Sequence, residues 1–223
     1  RDLSMTHPHG EPQYQRDAST FNGKPYVLFS AAEEDALEYR PTPPTSWSGH
    51  HSLFIVVEQT GAMVKNASYF SSGVGADTGT AFQVGCVTGG GCTTTPYEVA
   101  LKPPNSGVTF RTNSAGVDET RIYTIRNDDG SSSDQTETYL DGVHTNSQSA
   151  RTFNFDRYLI GLNRAAKKWN NFRLAELVLY DRALDKSELS DVHEYLATKY
   201  GISSEAAGYA VGRLSWEQLF PSQ

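Results

Sequence analysis

The sequence predicts an all-β fold: a two-sheet antiparallel jelly-roll sandwich with one short peripheral helix near the C-terminus. Three observations carry that prediction. Short β-prone segments separated by Gly, Pro, Asn and Asp recur along most of the 223 residues, the pattern of a sandwich rather than of alternating strands and helices. His51 to Gln59, HSLFIVVEQ, is a nearly continuous apolar run, which fits a strand covered on both faces. Leu177 to Gly201 passes from an apolar strand into a stretch with helix period and helix punctuation. A chain of this length is normal for a large sandwich and buries a sizeable core.

The elements follow in order. Lys24 to Ser30 (KPYVLFS) is a strand entered from an Asn22-Gly23 turn signal. Arg40 to His51 (RPTPPTSWSGHH) is a Pro-rich loop before the apolar strand. TAFQVGC, YEVALK, GVTFRT and TRIYTIRN are further strands, each bounded by turn residues. Thr136 to Leu140 enters a hairpin whose turn is Asp141-Gly142. DRYLIGLN and FRLAELVLY are the last two strands. Asp185 then caps a helix of about Lys186 to Tyr200, with Glu188 completing a capping box. Leu189, Val192, Leu196 and Tyr200 form one apolar stripe, which leaves His193 on the exposed side. Lys199 suits the helix dipole, Gly201 is the expected left-handed terminator and Ile202 its apolar contact. One stripe means one packed side, so the helix lies on the sandwich rather than inside it.

Composition limits function. Hydrophobic residues are 37% and aromatics 11%, so the chain is not of disordered type. A net charge of −7 argues against nucleic acid and anionic membrane as partners. No 18-residue apolar run exists to span a membrane. The chain begins at Arg1 without a signal peptide, as a processed or excised piece would. Cys86 and Cys92 bracket a Gly-rich loop with C-x5-C spacing and no nearby His; a disulfide, and hence an oxidising compartment, is the reading, with two free thiols as the alternative. Asn66 stands in an N-A-S sequon.

FRLAELVLYDRALDKSELSDVHEYLATKYGI resembles the closing strand and helix of laminin-G-like domains of the concanavalin A-like lectin/glucanase superfamily. FNGKPYVLFSAAEEDALEY is similar to the strand pair near the start of such domains, LFIVVEQ to the strand after it, ETYLDGV to their hairpin and YLIGLNR to the strand before the closing one. The resemblance spans about Phe21 to Ile202 and implies a concanavalin A-like sandwich over residues 1–202. Residues 203–223, with the apolar YAVGRLSWEQLF, form an extension that packs on the domain or on a partner. The chain departs from the family at Arg173, where Gly is usual before LAE, and at its beginning, where a first strand is missing or supplied from elsewhere.

This superfamily contains lectins, adhesion domains and glycanases, so the site must be argued separately. The carboxylate spacing of its glycanase branch, E-x-D-x-x-E, occurs once, in Glu33 to Glu38, but there it falls at the turn of the opening strand pair rather than along one strand; no G-x-S-x-G nucleophile is found. The cluster AAEEDALE (Ala31 to Glu38) reads as a solvated loop, and Glu176 as a structural hydrogen-bond acceptor. The expectation is a non-catalytic extracellular recognition or adhesion module for glycan. The alternatives are an assembly domain of a surface layer, appendage or adhesin, contacting other subunits through the tail, and, less favoured, a glycanase or lyase. Sugar faces stack on aromatics while amides fix hydroxyls. That pattern selects Trp169, with Asn170 and Asn171, then Trp47 and Tyr97; for each Trp, capping the core edge is the alternative. The resemblance implies Ca2+ at one rim, for which Asn127, Asp128, Asp129, Asp134 and Asp77 supply oxygens; the alternative for these loops is an ordinary polar turn.

Overall fold

The computed structural model describes residues 10–16, 19–39, 50–62, 64–72, 83–85, 97–102, 110–115, 118–129, 135–150, 157–163, 165 and 167–203, of which 83, 85, 97–102 and 110–115 are described as backbone. Two antiparallel sheets face each other. The larger contains, edge to edge, β1 (Gln13–Gln15), β2 (Tyr26–Phe29), β13 (Phe172–Tyr180), β4 (His51–Gln59), β9 (Thr120–Asn127), β10 (Gln135–Leu140) and β11 (Val143–Ser149). The smaller contains β3 (Leu37–Tyr39), β12 (Tyr158–Ile160), β5 (Ser68–Ser72), β6 (Gln83–Gly85), β7 (Tyr97–Lys102) and β8 (Phe110–Ala115). A third layer, helix α1 (Lys186–Tyr200), covers the outer face of the larger sheet.

Strand β4 explains the layering. Its nine residues are all buried. Leu53, Ile55 and Val57 point between the sheets, where they meet Phe29, Tyr69, Phe70, Tyr123 and Phe172. Phe54 and Val56 point the other way, onto Leu184, Leu189 and Leu196 of the helical layer. Period-two alternation therefore feeds two cores from one strand. Burying each of those leucines contributes on the order of 1.5–3 kcal/mol.

The helix has its expected bounds. Asp185 Oδ1 accepts from the Glu188 amide at 2.9 Å, and Glu188 Oε2 accepts from the Asp185 amide at 3.0 Å. Gly201 ends the helix at φ 67°, and the Ile202 amide reaches back to the Ala197 carbonyl. His193 corrects the sequence reading. It is buried, not exposed, because the helix packs along a face through 189, 193, 196, 197 and 200 that is wider than the four-residue stripe. Its Nε2 lies 2.9 Å from Thr124 Oγ1, and its ring meets Phe54 edge-on.

Glu176 is placed by a bulge. Ala175 is the extra residue between the pairs Leu174↔Val57 and Glu176↔Val56, which turns Glu176 to the helix side. There it accepts from Lys199 Nζ at 2.9 Å and Tyr200 Oη at 2.7 Å, the structural role expected of it.

Other expectations shift. The resemblance to an opening strand pair divides between sheets, β2 in one and β3 in the other. A short β1 occupies the edge beside β2. The cluster after Ser30 is only half solvated. Glu33 and Glu34 are exposed, but Asp35 and Glu38 are buried. Asp35 Oδ2 accepts from the Ser30 amide, and Glu38 takes a two-pronged contact from buried Arg157 at 2.7 and 3.1 Å. Gly161, at φ 80°, lets β12 pass Phe29, whose ring carbon would lie 2.6 Å from any Cβ there.

Candidate functional site

An open cleft lies where β4, β9 and β13 end beside the helix C-terminus. It starts from a buried carboxylate. Glu58 continues the outward-facing row of β4 but is 2% exposed, and a buried charge needs a partner. The register supplies two. Arg173, opposite on β13, donates from Nη1 to Glu58 Oε1, and Thr120, opposite on β9, donates to Oε2 at 3.3 Å. The Arg173 guanidinium lies over the Tyr26 ring, 5.6 Å from its centre. Asp118, held at φ 60°, stands 3.9 Å from the same Nη1.

A second pair borders the first. Arg121 donates to Asp141 at 2.7 Å and to Glu119 at 2.5 Å. Asp141 sits in the Asp141-Gly142 hairpin turn and also accepts from the Ile122 amide at 2.7 Å. Burial pushes the Asp141 carboxyl above its usual range, although the Ile122 amide and Arg121 favour its charge. The Arg121 charge is opposed by burial but raised overall by Asp141 and Glu119.

The opposite wall comes from both ends of the described chain. Ser19 to Asn22 meet Tyr200 to Ser203, with Asn22 Nδ2 3.5 Å from the Lys199 carbonyl and Phe21 edge-on to Tyr200. Phe21, Asn22 and Gly23 all have positive φ, the tight left-handed turn behind the Asn22-Gly23 signal. The resulting open groove has a volume of about 710 Å³, within the roughly 300–1,000 Å³ of small-molecule sites. Arg173 Nε is buried without an acceptor, and its Nη2 donates to no protein group among the described residues. The groove therefore offers N–H donors and carboxylate acceptors close together, a chemistry suited to hydroxyl groups.

The residues singled out from the sequence lie elsewhere. Trp169 is half-buried against Ala36, Leu159 and Leu162, at the core edge. Asn170 is fully buried and exchanges hydrogen bonds with Gln59, both at 3.3 Å, while Asn171 Oδ1 accepts from the Ala31 amide at 2.8 Å. Both amides are thus engaged in hydrogen bonds within the protein. Tyr97 is described only as backbone on β7, and Trp47 lies outside the described residues. Of the calcium set, Asn127 is buried and accepts from Thr136. Partial burial opposes the charge of Asp128, but Arg126 and His50 outweigh it and hold the carboxyl below its usual range. Asp129 is exposed, and Asp77 and Asp134 lie outside the described residues, as do Cys86 and Cys92. Among the described residues no group of three His, Cys, Asp or Glu side chains is arranged to hold a metal ion. Asn66 is exposed in a turn at φ 64°. No helix of the described residues is long and apolar enough to cross a membrane.

Sequence reasoning missed the groove because its lining residues come from five separate stretches. Arg173 carried the one local signal, an Arg where the resembled family has Gly.

Comparison with solved structures agrees with the β-sandwich. Domain 4 of an extracellular arabinanase from Geobacillus stearothermophilus, solved with arabinotriose, matches with a TM-score of 0.58 at 14% identity, covering 84% of each chain. Botulinum neurotoxin type C, whose cell entry depends on two ganglioside molecules, matches with a TM-score of 0.57 at 8% identity, over 84% of this chain and 45% of that one. The binding domain of botulinum neurotoxin DC, in complex with SialylT, matches with a TM-score of 0.58 at 9% identity, over 84% and 45%. The chain thus spans about half the length of the matched neurotoxin chains. No family model matches the chain, and no curated protein matches it in sequence. At these identities the likeness shows the fold alone; membership of the laminin-G-like family is not shown by it.

Proposed function

We propose that this chain is a non-catalytic, extracellular glycan-binding module of laminin-G-like type, and that its ligand occupies the groove bounded by Glu58, Arg173, Arg121 and Asn22. The observation that carries the reading is Arg173: a guanidinium fixed by buried Glu58 and the Tyr26 ring, with Nη2, unlike the buried Nε, left over for a ligand. Preorganised donors of this kind bind hydroxyls with little ordering cost. The arabinotriose-bound and ganglioside-dependent neighbours support the choice of ligand class.

The groove's carboxylates suit binding better than glycoside hydrolysis, which pairs one protonated acid with a nucleophile or base. Glu58 is locked to Arg173. Asp141 has a raised pKa, but it is tied to Arg121 and the Ile122 amide and does not itself line the groove.

A glycan array followed by titration calorimetry tests this. Arg173→Ala should weaken binding about tenfold or more, the worth of one or two hydrogen bonds to a charged group. Arg173→Lys keeps a cation beside Glu58 but removes the fork, and should weaken binding similarly while preserving the fold. Trp169→Ala should leave affinity unchanged. Loss on Trp169→Ala with none on either Arg173 variant would move the site to the Trp169 loop, and binding to no glycan would end the reading.

A further inference from the structure

Resting on the groove as the glycan site, we infer that it selects neutral oligosaccharides and excludes sialylated, uronic or sulfated ones. Both guanidiniums are already neutralised. Arg121 gives one nitrogen to Asp141 and the other to Glu119, so no fork remains for a ligand carboxylate. Arg173 gives Nη1 to Glu58, with Asp118 also within 3.9 Å. Four carboxylates thus surround two guanidiniums. The C-terminal end of α1, which carries the negative pole of the helix dipole, faces the same space through Tyr200 and Gly201. An acidic sugar would enter a field of its own sign, whereas a hydroxyl uses the leftover N–H donors and the carboxylate acceptors at once. The surplus charge sits on Asp118 and Glu119, whose side chains are 69% and 49% exposed, so it acts on an incoming ligand rather than on the core.

The test is an array carrying neutral oligosaccharides, arabinotriose among them, each beside a sialylated, uronic or sulfated counterpart. Affinities for the responding pairs are then measured at low and physiological salt. Neutral members should bind at least tenfold more tightly than their acidic counterparts, with the gap shrinking as salt rises. The double variant Asp118→Asn, Glu119→Gln should narrow the ratio; Asn tolerates the left-handed backbone at 118, so the fold survives. Equal or tighter binding of acidic members, lost in Arg173→Lys, would overturn the selectivity while leaving the glycan reading intact. Binding to no member would overturn both.

Discussion

Lowering the pH from 7.5 to 5 should remove about 2 kcal/mol of stability through His193 alone, out of a limiting ~3 kcal/mol at more acidic pH. His193 is 3% exposed, between α1 and the larger sheet, against the rings of Phe54 and Tyr139 and the hydroxyl of Thr124. Burial pushes its pKa from 6.5 down to about 4. The unfolded chain therefore takes up a proton as the pH falls through 6.5, while the folded chain stays neutral until about 4. Stability is at its full value above this window and is lost progressively within it. For a domain of this size, 2 kcal/mol corresponds to a fall in Tm of about 4–8 °C. Other groups titrate over the same range, so the informative quantity is a difference. Urea unfolding of the parent and of His193→Gln, which retains a hydrogen-bonding group facing Thr124, is compared at both pH values. The parent should lose about 2 kcal/mol more than the variant. Parallel losses, or an imidazole measured by NMR to titrate near 6.5 in the folded state, would refute the reasoning.

Two substitutions probe the scaffold. Gly161→Ala combines a left-handed backbone, ~1–2 kcal/mol, with overpacking against Phe29, ~1–3 kcal/mol, so thermal unfolding should show a loss of about 3 kcal/mol. Glu38→Gln leaves the buried Arg157 charge uncompensated and should lose about 3–5 kcal/mol in denaturant unfolding, whereas Glu33→Gln in the same loop should change it by less than about 0.5 kcal/mol.

What the sequence made legible was local. The helix was readable because Asp185, Glu188 and Gly201 are punctuation that acts within one turn, and β4 because an unbroken apolar run leaves few other homes. Strand β5 was not, since Ser68, Ser71 and Ser72 look like turn residues although all are buried; Ser71 is satisfied by the Leu162 carbonyl, a partner 91 positions away. The same distance effect hid the site. Asn170 reads as a loop amide in the sequence because its partner, Gln59, lies 111 positions away. Asp35 and Glu38 escaped for the same reason, because the partner that buries Glu38 is Arg157, far along the chain. Arg173 was noticed as a departure, but its meaning required Tyr26 and Glu58.

Asn22 and Lys199 meet across 177 positions of sequence to close one wall of the groove. The loop that this wall closes is nearly the whole domain, so the wall rests on contacts of very high sequence separation. A ligand seated there ties the first turn to the last. It should raise the unfolding midpoint of the entire domain in proportion to its occupancy, and it should protect α1 and the turn at Thr20–Gly23 from amide exchange together. Occupancy of the groove would thereby report that the chain has folded from end to end, a property that a site built within a single hairpin would lack.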